Sequence, residues 1–323
     1  MNIEYTENVS EQKWDKIVRN SENGYFFHTP AWAKILEETY GYRIATRLYE
    51  IEGDEILIPM MEGKKYGFSY YHSMPLGYGG IFSASDLSSE ILKKILKDIV
   101  GGRHLLFELS LPPFFSFSIQ EDLTIRQVNS EWNYTHVLSL ENGFDYLWKN
   151  KFNRKNRNAI RKAEKSGVEV LKGYSLEDFR KYYKLYVEES SKKWEYKKPP
   201  HPLKLYENMC KFGLPHVRLR LAIKDDKVIA GLINFYYGKN VFYWGSTFLE
   251  EYGIYRPTNL LLKDSIEEAC NEGYKYYNFG ASGNLEGVRR FKESFGAERV
   301  ELKKYILWSR LGKFVKRILR ILR

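Results

Sequence analysis

Cysteine is nearly absent: Cys210 and Cys270 are the only two in 323 residues, with no CxxC spacing and no histidine pairing beside them. Neither a disulfide framework nor a zinc site is indicated, and a reducing compartment is expected. The six histidines are scattered without metal-ligand spacing, so no metal is expected and each is read as structural. Long apolar runs are missing too. No stretch reaches the ~18 residues that a membrane span needs, and the opening MNIEYTENVSEQKWDKIV has no apolar core of a signal peptide. A soluble, cytoplasmic protein without a cofactor is expected.

Apolar residues make up 43% of the chain, enough to build cores, and 323 residues exceed what one ordinary domain needs. Two domains are expected. Aromatic content is high, with 26 Tyr, 19 Phe and 7 Trp, which suits packed sheets or a surface that stacks on rings. The net charge of +10 favours polyanionic partners such as RNA, nucleotide phosphates or an acidic membrane surface. Much of it is local: WSRLGKFVKRILRILR at the end holds six positive charges and no acid, which leaves +4 on the rest.

Residues 10–22 and 30–39 read as helices, the second with Pro30 in its first turn and Gly41 beyond its end. RIATRLYEIEGDEILIPMME then reads as a hairpin turning at Glu52, Gly53 and Asp54. A similar passage, VRLRLAIKDDKVIAGLINFYYG, returns in the second half around Asp225-Asp226. Each hairpin is preceded by helical sequence and followed by strand, helix and strand, the pattern of a weak internal duplication, with chance likeness between hairpins as the alternative. In the second copy NVFYWGSTF is a strand, NLLLKDSIEEACNEG a helix ended by Gly273, and YKYYNFG another strand. The order predicts an α/β (α+β) fold with mixed sheets flanked by helices.

Between the halves, FNRKNRNAIRKAEKSGVEV places Arg154, Arg157 and Arg161 on one helical face, either solvated or turned to phosphates. Together with PAWAKI near the start and YNFGASGN…GVRRFKESFGAE near the end, it resembles the Fem-type aminoacyltransferases over nearly the whole chain. The resemblance implies two tandem GNAT-like (acetyltransferase-like) domains. An acceptor-binding domain over 1–143 would hold the amine in a cleft, and a donor-binding domain over 144–305 would admit the acyl end through a channel. A tail, 306–323, would pack back on the first domain or lie on a membrane. Carried over by motif, Lys34 resembles a lysine that meets substrate phosphate. Arg157 and Arg161 resemble a central basic helix, and Phe291 with Lys292 resembles an FK pair beside the donor's terminal ribose and carbonyl. The long helical insertion of many members is missing, since SSKKWEYKKPPHP (190–202) is too short and proline-rich.

Amide formation needs an amine, mostly ammonium near its pKa of ~10, and a carbonyl that gathers negative charge. Lys292 is the candidate cation for that oxyanion; no side-chain base stands out. Coenzyme A enzymes cradle pyrophosphate on a glycine-rich turn at a helix N-terminus, whereas EEYGIYRPTNLLL offers Pro257 and bulky Tyr255 and Arg256 there. An RNA end is better served by Arg289, Arg290 and Lys292 for phosphates and Phe291, Tyr255 or Tyr277 for stacking. The alternative is a surface helix with Phe291 and Phe295 in the core. In SYYHSMPLGYGGIFS, Gly77, Gly79 and Gly80 let backbone approach a ligand beside Tyr70, Tyr71 and Tyr78, or only turn the chain. The tail sets Leu311, Phe314, Val315, Ile318, Leu319 and Leu322 on one stripe of a basic amphipathic helix.

The sequence thus points to an aminoacyltransferase that passes an aminoacyl group, from aminoacyl-tRNA, to a small-molecule or lipid-linked amine of a cell-envelope or glycan precursor. Peripheral membrane contact would run through 308–323. A coenzyme A-dependent N-acyltransferase on an amino sugar or amino acid, and a noncatalytic RNA- or membrane-binding protein, are the alternatives.

Overall fold

The structure, a computed structural model, describes residues 4–65, 67–102, 104–115, 119, 125–130, 132–193 and 199–321. The chain divides into two units, one of residues 1–133 and 301–323, the other of residues 134–300.

In the first unit the hairpin Arg47–Ile51/Asp54–Ile58 turns at Glu52 and Gly53, whose φ angles of 56° and 90° suit the right-handed twist of paired strands. The strand Phe68–Ser73 follows and runs parallel to Leu106–Ser110. Between them the helix Ser89–Val100 starts on a cap in which Ser88 accepts from the Ile91 N–H, and it buries Leu92, Ile95, Leu96 and Ile99. These meet Tyr49, Ile58, Phe107, Leu109 and Leu307 in one core. Lys304–Trp308 pairs with Leu106–Ser110 on one side and Ile125–Gln127 on the other. Residues 306–308, expected in the tail, are therefore an interior sheet strand.

The second unit repeats the plan. The hairpin Val217–Lys224/Lys227–Tyr237 turns on Asp225 and Asp226, both left-handed at 49° and 60°. Asn240–Phe248 follows, then the helix Pro257–Asn271, then Tyr276–Ala281, parallel to the earlier strand. The duplication read from the hairpins therefore extends through strand, helix and parallel strand. Tyr134–Ser139, expected in the first domain, pairs with Tyr276–Ala281 and belongs to this sheet. The helix Arg154–Lys165 buries Ile160 and Ala163 beside Leu261, Ile266, Phe279 and Phe295.

The glycine loop of the first unit is spent on the protein itself. A Cβ on Gly79 would lie 2.0 Å from Ser73 Oγ, and one on Gly77 would lie 2.3 Å from the Phe27 ring. The Gly79 N–H donates to the Ser110 carbonyl at 2.7 Å, and the Gly80 N–H to Ser73 Oγ at 3.0 Å, closing the loop across the ends of the parallel strands. His28 lies beneath, its Nδ1 accepting from the Tyr25 N–H and its Nε2 donating to the Gly79 carbonyl. Burial pushes that imidazole down to about 3, so it stays neutral. The ligand-approach role expected for these glycines is corrected to close packing.

The helix Arg310–Ile321 begins against the first unit: the Ser309 hydroxyl donates to the carbonyls of His104 and Leu105 and caps the Gly312 N–H. A Cβ on Gly312 would sit 1.8 Å from the Leu105 carbonyl oxygen. Phe314 is 62% exposed, whereas the side chains of Ile318, Leu319 and Leu322 lie outside the described residues, as do residues 194–198 of the short 190–202 segment. Among the described residues no helix is long and apolar enough to cross a membrane.

Candidate active site

The parallel strands of the second unit pair only at their beginnings. Asn240, Val241 and Phe242 face Tyr276, Tyr277 and Asn278, after which Asn240–Phe248 continues without its parallel partner. Two local devices open the gap. On one side a bulge between Ile233 and Asn234 re-aims the strand at Trp244. On the other, the buried Asn278 carboxamide oxygen accepts from the Gly280 N–H at 2.9 Å and the Thr135 hydroxyl at 2.5 Å, so the strand bends away at Gly280, whose φ is +71°. This is the physical content of YNFGASGN.

A cavity of about 1270 Å³ opens along the freed edge. Tyr243, Ser246, Thr247 and Phe248 form one wall, and Pro257, Thr258 and Asn259 bring the N-terminus of their helix to it. Lys155, Lys162, Arg256 and Arg290 supply cations; Glu189 and Glu293 are the acids among the described lining residues. An asparagine seam ties the walls together: Asn259 Nδ2 donates to Asn156 Oδ1 at 2.8 Å, and Asn156 Nδ2 to the Ser294 carbonyl at 3.3 Å.

The helix Arg154–Lys165 meets the cavity with a different face from the one expected. Lys155, Asn158, Ala159 and Lys162 line it. Arg157 instead turns back onto the preceding helical turn, donating to the carbonyls of Phe152, Trp148 (3.2 Å) and Lys149 (3.4 Å). Arg161 is held 5.6 Å from the Trp148 ring. The spacing of the arginines was legible, but the carbonyls at the end of the preceding turn need donors, and Arg157 meets that need.

Arg290 and Phe291 do line the cavity. Arg290 is exposed and pairs with Glu286 at 2.6 Å; Phe291 packs edge-on to the buried Phe295, ring centres 5.4 Å apart. Tyr255 is not among the lining residues. The chain reverses at Arg256, φ 58°, which sends Arg256 to the cavity and leaves the Tyr255 ring under Lys224 Nζ at 5.0 Å.

Lys292 lies on the inner side of its helix and does not line the cavity. It is 3% exposed, and its Nζ donates to the carbonyls of Gly280 at 2.9 Å and Ala281 at 2.7 Å. The two stretches that stood out in the sequence are thus joined, YNFGASGN clamped by the lysine of RRFKES. Burial lowers its ammonium to about 7. The carbonyl it was expected to face belongs to substrate; those it holds belong to the strand end. The nearby His136, also depressed by burial and by Lys292, has Nε2 3.8 Å from Glu293 Oε1.

The remaining candidates are in the first unit. Lys34 pairs with Glu37 at 2.8 Å and Glu38 at 3.2 Å on its own helix, with 41% of its side chain exposed. Such exposed pairs are weak enough, ~0.2–1 kcal/mol, to yield to a phosphate. Tyr71 is half-buried, its ring 4.6 Å from that of His104. Tyr78, expected to line a cleft, is 7% exposed and packs against Tyr25 and Phe27 in the core. The sequence reading missed Lys155, Lys162, Arg256, Glu189 and the asparagine seam. The buried Asn156, Ile160 and Ala163 define the inner stripe, and the cavity-facing residues flank it. Among the described residues no group of three histidine, cysteine or acidic side chains is placed to hold a metal.

Residues 150–293 match the family described as acetyltransferase (GNAT) domain. No curated protein matches the chain. Among solved structures it resembles FemX, with 15% identity, a TM-score of 0.76 and coverage of 98% of this chain and 99% of that one. It also resembles the C-terminal domain of a putative lysylphosphatidylglycerol synthetase from Agrobacterium fabrum, with 11% identity, a TM-score of 0.62 and coverage of 97% and 95%. A third likeness is L-PGS from Bacillus licheniformis, with 15% identity, a TM-score of 0.55 and coverage of 86% and 90%. The splayed parallel pair, the cavity in its gap and the matched segment coincide, so the protein is an acyltransferase with an acetyltransferase-type (GNAT) domain over residues 150–293, in a chain with the tandem fold of FemX.

Proposed function

We propose that the protein transfers an aminoacyl group, carried as the ester of a tRNA end, to an amine of a cell-envelope or glycan precursor. The observation that carries this is the charge of the cavity. Lys155, Lys162, Arg256 and Arg290 rim it with Phe291 beside them, a set suited to phosphates and a stacked base. The likeness in fold to FemX and to a protein named as a lysylphosphatidylglycerol synthetase supports aminoacyl chemistry and the cell envelope. In the transfer the acceptor nitrogen attacks the ester carbonyl, a C–N bond forms, the C–O bond to ribose breaks, and the proton leaving nitrogen ends on the ribose oxygen. Positioning the two reactants supplies much of the acceleration.

Coenzyme A is the second reading, favoured by the helix N-terminus at Pro257–Asn259 on the cavity wall. Proline at its first position withholds a donor N–H, and Arg256 stands where a small residue would cradle pyrophosphate. Thermal stabilisation separates the two, because a ligand at 100 times its dissociation constant adds about 2.7 kcal/mol. Charged tRNA is expected to stabilise the protein and acyl-coenzyme A to leave it unchanged; the reverse pattern assigns the donor to coenzyme A. Lys155→Ala and Lys162→Ala are each expected to weaken tRNA binding and to reduce the slope of log affinity against log salt by ~0.7, whereas Arg161→Ala leaves the slope alone. An equal effect of all three would remove the cavity from RNA binding.

We assign to the basic tail a contact with an anionic membrane face, each cation near the surface contributing about 1 kcal/mol. Deleting Arg310–Arg323, which spares the strand Lys304–Trp308, is expected to abolish co-sedimentation with phosphatidylglycerol vesicles. Undiminished sedimentation would assign the tail to packing alone.

A further inference from the structure

The helix Arg154–Lys165 carries six cations and one acid, Glu164, which lies 3.9 Å from Lys263 on the helix Pro257–Asn271. Other exposed helices set cations one turn from an acid, as in Arg19–Asp15, Lys94–Glu90 and Lys181–Glu177. Here the cations have other neighbours. Lys155 and Lys162 line the cavity, Arg157 is bound to the carbonyls before the helix, and Arg161 lies against Trp148. Arg154 and Lys165 remain. Both are exposed, and among the described residues neither side chain makes a hydrogen bond, ion pair or ring contact. With Asn156, Ile160 and Ala163 buried, a period of about 3.6 residues points Arg154 and Lys165 away from the core, about 16 Å apart along the axis. Asn158, which lines the cavity, lies between them, so the stripe runs on from the cavity wall.

Water solvates exposed cations, but this arrangement works against the helix that bears it. Arg154 opens the helix, at the positive end of its dipole, where the first turn holds no acid. Arg154 with Arg157, and Arg161 with Lys165, are like charges on adjacent turns. A polyanion on the outer side turns both penalties into attraction. The stripe carries no apolar residue to enter a bilayer and no aromatic on which an unpaired base would stack. What fits is a surface that shows phosphates and conceals its bases, which is an RNA double helix. We infer that Arg154 and Lys165 hold the phosphates of a double-helical stem adjoining the RNA end that enters the cavity. This rests on the tRNA reading above and adds the surface for the RNA body. Phosphate contacts of this kind fix orientation without reading sequence.

The test uses the full chain and two probes: the single strand ACCA, and an RNA hairpin whose duplex ends in that strand at its 3′ side. Wild type is expected to bind the hairpin more tightly, on the order of tenfold. Arg154→Gln/Lys165→Gln is expected to bind ACCA as wild type does and to lose the hairpin's advantage. Its salt slope for the hairpin should fall by roughly 0.7–0.9 for each cation removed. The variant should melt no lower than wild type, since a cation leaves the positive end of the helix. Lys93→Gln, which removes an exposed cation from the helix Ser89–Val100, is the charge control and should leave the hairpin's advantage intact. An advantage that survives in the double variant, or falls equally in Lys93→Gln, overturns the stem contact and leaves the tRNA reading standing. Equal binding of both probes by wild type does the same. Loss of co-sedimentation with phosphatidylglycerol vesicles in the double variant, with hairpin binding unchanged, assigns the stripe to lipid instead. If wild type binds neither probe, the stem contact falls; stabilisation by acyl-coenzyme A in place of charged tRNA then removes the tRNA reading as well.

Discussion

Lys292→Met is expected to lower turnover by about 10²-fold, the scale on which misplacing reacting groups by an ångström acts. The reason is indirect. The ammonium clamps the carbonyls of Gly280 and Ala281, and the chain beyond them leads through Gly283 to the cavity-lining Gly287 and Val288. Methionine keeps the stem's volume and removes the donor. The clamp also has a pH signature that a merely space-filling side chain lacks. In the native state the amine titrates near 7, against 10.5 when unfolded. Between those values the unfolded chain binds a proton that the native one does not, so this group makes stability rise with pH, by up to about 1.4 kcal/mol per unit. At pH 9 the wild-type amine is neutral and still donates, whereas the variant leaves two carbonyls short of a donor, a cost of about 1–3 kcal/mol each. At pH 6 part of that cost is offset, because the variant no longer buries a charge. The stability gap should therefore widen from pH 6 to pH 9 in chemical denaturation. A constant gap, or full turnover in the variant, removes Lys292 from the site.

Arg220→Met should cost more stability than any other substitution considered, about 3–5 kcal/mol. Arg220 is 1% exposed and joins the strand Val217–Lys224 to the helix Pro257–Asn271, donating to Asp264 at 2.7 Å and to Glu268. Removing it takes the buried donor from Asp264 and one of three cations from Glu268, which keeps Lys172 at 2.6 Å and Arg218 at 3.0 Å. Burial alone would raise Glu268, but Arg220, with Lys172 and Arg218, outweighs that and holds it down at about 2. Its share of the stability is present above pH 4.5 and is lost as pH falls from 4.5 toward 2. The variant should show a smaller acid-sensitive component, the part due to Lys172 and Arg218. Donor binding should weaken too, since the same helix delivers Pro257, Thr258 and Asn259 to the cavity. Adding Asp264→Asn should restore part of the loss, because it removes the carboxylate whose donor Arg220 was. If the single variant melts within about 1 kcal/mol of wild type, the pair is not a structural anchor.

The elements that were legible are those whose signal is local. Both hairpins announced themselves by turn residues, and the helix Pro30–Tyr40 by its proline and the glycine at 41. The duplication followed from two such hairpins. Harder to read was anything decided by a distant partner. Tyr134–Ser139 joins the second sheet because Tyr276–Ala281 needs an antiparallel neighbour opposite its parallel one, and no neighbouring residue says so. The site divided in the same way. Arg290 and Phe291 border the cavity because the motif that contains them also wraps it. Arg157, Tyr255 and Lys292 lie in segments that border the cavity but turn away from it, since helix rotation and one left-handed residue decide which side chain looks inward. Glu189 gave no signal: an acid on a mixed helix is indistinguishable from its solvated neighbour Glu188 until the strand beneath is known.

Both units follow one plan of hairpin, strand, helix and parallel strand, and they differ in what meets the ends of the parallel strands. In the first, the strand ends are laced shut by the Gly79–Ser110 and Gly80–Ser73 bonds over a neutral His28. The corresponding gap in the second is left to Tyr243–Phe248 and the cavity they border. The same bend in the plan is thus filled by the chain's own loop in one unit and bordered by solvent in the other.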